Sequence, residues 1–364
     1  MDYLKRLSLL RDQLNENNLD SLFISNPFNI YYLTGFKGVS ETEREVTSLV
    51  DSNGIKISVP KLYQEEALRL SKVNFFEVVI SEERDNLFNI PSRPLSRNEK
   101  IGFEADDLKF SELEKLKKTS NARYIPTYNL VEGLRIVKDK EELTLVKRVV
   151  KTTDNSFTQI KNEIKIGMTE KQIANRILEI MENFGSDGYA FEPIVASGSN
   201  SSLPHYVSQN IPIKEGILLI DAGAKYNGYN GDLTRTFFLG SPSEKFVKTY
   251  NLISKAQEAA LKTIKPGIKE EEPYKKTVEV FGIQSKYFIH GLGHGIGLEV
   301  HETPYLRKGK TDLLKEGMLI TVEPGLYYPG WGGIRVEDYV VVTKNGCEVL
   351  SKTPKSHEDI IIKI

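Results

Sequence analysis

Four acidic residues stand where the surrounding sequence asks for apolar ones. Asp221 ends the run GILLI, Asp232 opens LTRTFF, Glu323 ends MLITV, and Glu337 separates GIRV from DYVVV. A carboxylate buried alone is costly because it gives up its hydration. One acid at a strand end is commonly a turn or cap residue, but four would need four separate explanations. Their spacing offers a shared one. Asn227-Gly228 is a strong two-residue hairpin signal. A turn there sets Gly223 opposite Asp232 and Asp221 opposite Thr234, so both aspartates project from one face, diagonally placed. Glu323 and Glu337 are symmetric about Gly330 in YPGWGG, and a hairpin centred there sets them facing one another. Like charges so placed repel or raise each other's pKa. A cation removes the difficulty.

Imidazole is concentrated in one further stretch. HGLGHGIGLEVHE (290–302) holds His290, His294 and His301, three of the chain's five histidines. Carboxylates joined by one or two imidazoles make an oxygen-rich site that suits Mn2+, Co2+ or Fe2+ and admits Zn2+. Four negative charges exceed what one divalent ion with few waters balances. Two ions about 3.5–4 Å apart, bridged by carboxylates, match them. The glycines let backbone come close to such a centre.

These residues need a framework. A chain of 364 residues exceeds one usual hydrophobic core, so two domains are expected. Residues 1–125 alternate helix and strand signals. Leu4, Leu7, Leu10 and Leu14 have helical spacing. DSLFIS, TSLV, IKISVP and FFEVVI read as strands, KLYQEEALRL and SELEKLKK as helices, and Asn26-Pro27 as a turn. This is a small α/β domain without a glycine-rich phosphate loop and without histidine. Pro126 marks the joint, and residues 126–364 form the second domain, which opens with a long helix from EEL. It contains all five histidines, His205 and His357 included, with His357 expected at the surface. This domain repeats itself. IKIGMTEKQIANRILEIMENFG (164–185) and IKPGIKEEEPYKKTVEVFG (264–282) share a grammar of loop, helix and glycine stop. KEGILLIDAG (214–223) parallels KEGMLITVEPG (315–325). Matches in this order mark an internal two-fold repeat, each half giving one pair of acids to a common site.

Bulk composition narrows the partners. Apolar residues make up 39% and charged residues 27%, as in a soluble globular chain. The formal net charge of −1 gives no net positive field for the phosphates of a nucleic acid. Cys347 is the single cysteine, expected to pack near a C-terminal strand. No intrachain disulfide is possible, which points to a reducing compartment, the cytoplasm. Charges interrupt the apolar N-terminus, so no signal-peptide core is expected there, and no run approaches the ~20 apolar residues of a membrane span.

With these motifs in order, the chain resembles the pita-bread metallopeptidases, and among them the prolidase and aminopeptidase P group. The likeness covers nearly the whole chain. LLIDAGAKYNGYNGDLTRTF, HGLGHGIGLEVHE, ITVEPGLY and GGIRVEDYVVVT resemble the family's successive metal-ligand motifs. VASGSNSSLPHY resembles its substrate-side histidine segment, NIYYLTGF a phrase of its N-terminal domain, and RIVKDKEEL the start of its catalytic domain. The resemblance implies an α/β (α+β) chain: a small N-terminal creatinase-like domain, then a pita-bread domain. It implies Asp221, Asp232, His294, Glu323 and Glu337 as ligands of two divalent ions, Mn2+ or Co2+ foremost and Fe2+ or Zn2+ also. Asp232 and Glu337 bridge in that pattern, Asp221 completes one ion, and His294 and Glu323 complete the other.

His205 and His301 match the two substrate-side histidines, expected to hydrogen-bond a developing oxyanion. His290 is no ligand in the pattern and reads as a supporting residue. Glu323 is also expected to accept and pass on the reaction's proton. Arg335 is expected to orient a carboxylate, either a bridging ligand's or the substrate's, or to make an ordinary ion pair. The implied activity is hydrolysis of the peptide bond preceding proline. It acts on X-Pro dipeptides in prolidases and on longer X-Pro peptides in aminopeptidases P, and a loop closing the cleft behind the proline decides between them. A homodimer acting on small peptides, with neither nucleic acid nor membrane as partner, goes with this. A metal-free creatinase-type amidinohydrolase or a non-catalytic peptide-binding domain would lack ligands that are all present here. Methionine aminopeptidases usually lack such a leading domain.

Overall fold

The computed structural model describes residues 1–38, 43–88 and 98–364. They divide into two compact units, Met1–Arg135 and Ile136–Ile364.

The first unit is built on a mixed sheet in the order β4-β3-β2-β1-β5-β6. Its strands are β1 (Ser21–Ile24), β2 (Thr47–Asp51), β3 (Ile55–Pro60), β4 (Glu77–Ser81), β5 (Lys100–Glu104) and β6 (Arg123–Thr127). The helices are α1 (Tyr3–Glu16), α2 (Pro27–Thr34), α3 (Gln64–Asn74), α4 (Phe110–Thr119) and the short α5 (Glu132–Arg135). The DSNG signal closes the β2–β3 hairpin, where Asp51 Oδ1 accepts the N–H groups of Asn53 and Gly54. Helix α1 buries Leu7, Leu10 and Leu14, but Leu4 is 53% exposed. Arg6 is buried on this helix, its guanidinium 3.9 Å over the Tyr32 ring and donating to Tyr32 O. Asn26-Pro27 does not form a free turn. Asn26 caps α2 by accepting from Phe28 and Asn29 N–H, and Pro27 fits the first helical position. Pro126 lies within β6, an edge strand where a missing N–H is tolerated. The division between the units therefore follows α5 rather than this proline.

The second unit opens on α6 (Lys140–Glu163) and α7 (Glu170–Asn183), both started by capping boxes, Asp139 with Glu142 and Thr169 with Gln172. There follow β7 (Gly188–Tyr189), β8 (Ile194–Ser197), β9 (Gly216–Ala222), β10 (Ala224–Tyr226), β11 (Tyr229–Asn230) and β12 (Leu233–Leu239). A second helix pair, α8 (Glu244–Thr263) and α9 (Glu271–Phe281), precedes β13 (Gly293–Gly295), β14 (Glu302–Leu306), β15 (Leu319–Val322) and β16 (Gly325–Tyr328). The last strands are β17 (Gly332–Arg335), β18 (Asp338–Thr343), β19 (Gly346–Val349) and β20 (Ile361–Ile362). Two sheets result, β20-β12-β9-β8 and β14-β13-β15-β18-β19, with short ribbons β11-β10-β7 and β16-β17.

The repeat recurs bond for bond. Gly167 N–H donates to Ile213 O and Gly267 N–H to Leu314 O; Glu170 N–H donates to Ile211 O and Glu270 N–H to Asp312 O. Both glycines take left-handed φ values, 91° and 83°. The two copies share one core. Phe157, Ile173 and Ile177 from the first helix pair join Phe246 and Ile253 from the second, together with Leu218, Phe237, Ile320 and Val340 from the sheets.

Two terminal residues differ in setting. Cys347 is half-buried in β19 and donates to Leu261 O, and burial pushes its thiol up. His357 was expected to be exposed and is instead half-buried, because β20 pairs with β12 and draws the preceding segment inward. No helix among the described residues is long and apolar enough to cross a membrane.

Candidate metal centre

Both acid-bearing hairpins interrupt their ladders beside the acids, at Asp232 in the first and at Glu323 and Glu337 in the second, while Asp221 stays within its ladder. In the first, β9 and β12 pair Asp221 with Thr234, and β10 and β11 pair Tyr226 with Tyr229. Asn227 and Gly228 turn between them at φ 46° and 79°, the mirror-image turn that follows strand twist. Between the two pairings, a Cβ on Gly223 would lie 1.7 Å from Gly231 O, so only bare backbone passes there, and Asp232 follows directly. In the second hairpin, β15–β18 pairs Val322 with Asp338, and β16–β17 pairs Gly325 with Arg335, one register centred on Gly330. Glu323-Pro324 and Val336-Glu337 fall in the gap between the pairings. Pro324 has no N–H to give the ladder, and the gap leaves both glutamates side by side.

The third contribution is β13, which lies between β14 and β15. A Cβ on Gly293 would sit 2.0 Å from Thr321 O, and one on Gly295 would sit 2.2 Å from Thr303 O. Glycine at both positions lets β13 insert and carry His294 to the acids.

One side-chain atom from each of Asp232, His294 and Glu337 lies within 4.8 Å of the others. His294 Nε2 is 3.3 Å from Glu323 Oε1 and 3.5 Å from Asp232 Oδ2. Its Nδ1 is 3.0 Å from Gly295 O. A cation bound by the acids would displace the proton from Nε2, leave one on Nδ1 toward Gly295 O, and take the Nε2 lone pair. Thr321 Oγ1 donates to Glu323 and accepts the His294 N–H, both at 3.1 Å. Thr234 Oγ1 donates to Glu337 Oε2 at 2.7 Å and accepts from Arg335 Nε at 2.9 Å. Arg335 Nη2 pairs with Asp221 Oδ2, and Nη1 donates to Tyr327 OH at 2.8 Å. Arg335 is thus committed to Asp221 directly and to Glu337 through Thr234.

The remaining histidines divide. His290 Nδ1 is 2.6 Å from Gly291 O and Nε2 3.0 Å from Tyr327 OH, and the ring lies 4.0 Å from Glu323, a supporting position. His301 is exposed, its ring centroid 4.4 Å from that of His294. His205 is exposed as well. Both line a cavity of about 310 Å³ with all four acids and His294, beside the apolar Phe191, Ile194, Pro204 and Val300.

The electrostatics ask for positive charge. Burial pushes Asp232 well above the usual carboxylate range, and the charges of Glu337, Asp221 and Glu323 push it further. Burial does the same to Glu337, with Glu323 and Asp221 adding to it. Asp221 is also raised by burial, against the lowering effect of Arg335. Burial opposes ionisation of Glu323, yet the hydrogen bond and charge of His294 hold it down at about 2. His294 is raised, because Glu323 outweighs the effect of burial. His301 is exposed as a residue, but its ring is partly shielded where it meets His294, and this desolvation and then the charge of His294 lower it. Asp221 Oδ1 and Glu337 Oε1 are buried with no hydrogen-bond partner among the described residues. Buried acceptors without donors, in a set of four carboxylates and one imidazole, fit a hard divalent cation.

Sequence spacing did not find Thr321, Tyr327 or the double role of Thr234. The bonds of Thr234 to Glu337 and Arg335 cross between hairpins, and no spacing within one hairpin encodes them.

Residues 144–344 match the family described as metallopeptidase family M24, and residues 6–137 match the creatinase/prolidase N-terminal domain. Over 356 residues the chain is 36% identical to a Xaa-Pro dipeptidase of Pyrococcus furiosus, covering 96% of this chain and 99% of the relative. A solved Xaa-Pro dipeptidase from Bacillus anthracis superposes with a TM-score of 0.89 at 32% identity, covering 100% of both chains. An X-Pro aminopeptidase from Thermotoga maritima superposes with a TM-score of 0.83 at 30% identity, over 95% of this chain and 98% of that one.

Proposed function

The chain belongs to metallopeptidase family M24 and carries a creatinase/prolidase N-terminal domain, and from that premise we propose that it is an Xaa-Pro dipeptidase. The observation that carries the reading is the buried cluster of four carboxylates and His294 at a cavity sized for a small peptide. Full-length similarity to dipeptidases supports the substrate class.

In this reading Asp221, Asp232, His294, Glu323 and Glu337 hold two divalent ions, Mn2+ or Co2+ in preference to Fe2+ or Zn2+. Bound there, the ions supply the Lewis acidity and the activation of water that amide hydrolysis needs at neutral pH. Glu323, held by the Thr321 hydroxyl, accepts the proton of the attacking water and passes it to the leaving proline nitrogen. An amine nitrogen is too basic to leave as an anion, so the proline nitrogen leaves only once protonated. His301, on the wall of the cavity, donates an N–H to the carbonyl oxygen as negative charge develops on it. His205, across the same cavity, is the second donor. Arg335 holds Asp221 in place. The family resemblance extends to a homodimer, and the lone Cys347 is compatible with a cytoplasmic setting.

Paired assays of Ala-Pro and Ala-Pro-Ala test the reading. Cleavage of the dipeptide alone is expected. Cleavage of the tripeptide at a comparable kcat/KM would replace dipeptidase with aminopeptidase P.

A further inference from the structure

We infer that Gln257 is a positioning residue of the metal centre, its carboxamide strapping together the two strands at the step where they release Glu323 and Glu337. The inference rests on the metal-centre reading and adds a residue to it. Gln257 lies on α8 and is 2% exposed. Its Nε2 donates to Val322 O at 3.0 Å and to Val336 O at 3.2 Å. These are the residues directly before Glu323 and Glu337. At this point the β15–β18 ladder gives way to the β16–β17 ribbon, and Pro324 can donate nothing. Two carbonyls share the two hydrogens of one planar amide, which sets the separation of the backbones that carry the glutamates.

The amide is itself held in one orientation. Its Oε1 accepts from Lys355 Nζ at 2.7 Å, so the oxygen faces the ammonium and the nitrogen faces the carbonyls. Lys355 also pairs with Asp338 Oδ2, and Asp338 Oδ1 accepts from Arg235 Nη2 at 2.8 Å. Arg235 Nη1 then donates to the carbonyls of Glu337 and Thr234. Gln257, Lys355, Asp338 and Arg235 thus form one connected network gripping backbone at 322, 336, 337 and 234. None of the four lines the cavity. A connected polar network of this kind, buried at Gln257, Asp338 and Arg235 and reaching solvent at Lys355, fixes the geometry of the backbone it grips. Metal ligands need placement within about 0.5 Å, and residues that orient ligands typically change metal affinity by about 10–100-fold when replaced.

The test titrates Co2+ into the chelated full-length chain, read by calorimetry and by visible absorption of the bound ion. Gln257→Met keeps the volume and removes both donors. Gln257→Glu keeps the acceptor for Lys355 and sets a carboxylate oxygen against two carbonyls. Ile253→Ala, in the core of the same helix, serves as a stability control, and the Tm of each metal-free protein is recorded. Gln257→Met is expected to weaken Co2+ binding by about 10-fold or more and to shift the spectrum, with Gln257→Glu weaker still. Ile253→Ala is expected to lower Tm while keeping the parent's affinity. Both Gln257 variants binding with the parent's affinity and spectrum would overturn the inference and leave the metal centre standing. Equal weakening in Ile253→Ala would also overturn it, reducing Gln257 to a stabilising residue. A parent chain that takes up no Co2+ would overturn the metal centre and this inference together.

Discussion

A carboxylate buried among other carboxylates stays ionised only beside positive charge, and Arg335 reaches only Asp221 directly. Asp232 faces three other acids and His294. Asp232→Asn is therefore expected to leave at least one ion unbound and to bring Ala-Pro hydrolysis to background. Wild-type turnover by that variant, with full metal content by elemental analysis, would remove Asp232 from the ligand set. His301 stands at the cavity edge and shares no hydrogen bond with the acids. His301→Ala is expected to keep full metal content while kcat falls by about 10²–10³-fold, the usual loss for an oxyanion donor. Loss of metal would move His301 among the ligands.

A pH response is expected in the other unit. Glu104 accepts N–H groups from Ser25, Asn26 and Asn29, but burial and then the charge of Glu132 push its carboxyl up to about 8. The folded state thus holds a proton that the unfolded chain loses near the ordinary value of 4.5. Stability from this group is complete below pH 4.5 and drains away as pH rises to about 8, on the order of a few kcal/mol. Denaturant midpoints of Glu104→Gln should lose that slope across the window. An unchanged slope would exclude Glu104 as its source.

At the scale of elements, the site depends on three close backbone crossings. Gly293→Ala would force a Cβ to within 2.0 Å of Thr321 O, whereas at Gly291 the nearest atom is Arg307 Cβ, 3.3 Å away. Gly293→Ala is expected to cost at least ~3 kcal/mol and to abolish metal binding, and Gly291→Ala to cost less than ~1 kcal/mol. Equal losses in thermal unfolding would show that β13 does not need its close approach. Much of this was legible beforehand. The registers of both hairpins followed from Asn227-Gly228 and from symmetry about Gly330, because two-residue turn chemistry and equal spacing are local properties. The role of Asn26-Pro27 was misread because one dipeptide serves both a turn and a helix start, and only the helix that follows tells them apart. The strand at Pro126 was hidden because an edge position, which excuses proline, is a property of the whole sheet.

At the scale of the molecule, repetition supplied what single motifs could not. Gly167 and Gly267 anchor equivalent loops of two copies, and each copy delivers one acid pair to the same cavity. The sequence made that doubling readable. It did not reveal the network behind it, because Gln257, Lys355, Asp338 and Arg235 come from distant parts of the chain, Arg235 and Asp338 alone lying 103 positions apart, with no common pattern. It also left Arg335 open between substrate and ligand, since an arginine's partner is chosen by the packing of a distant strand, here β9, which carries Asp221. The central claim is that this cluster makes the chain a metal-dependent dipeptidase. The most direct measurement is the rate of Ala-Pro hydrolysis by chelated protein as Mn2+ or Co2+ is returned in counted equivalents per chain. The account predicts no hydrolysis without metal and a rise that levels at two equivalents. Hydrolysis by the metal-free chain, or none at any metal load, would contradict it.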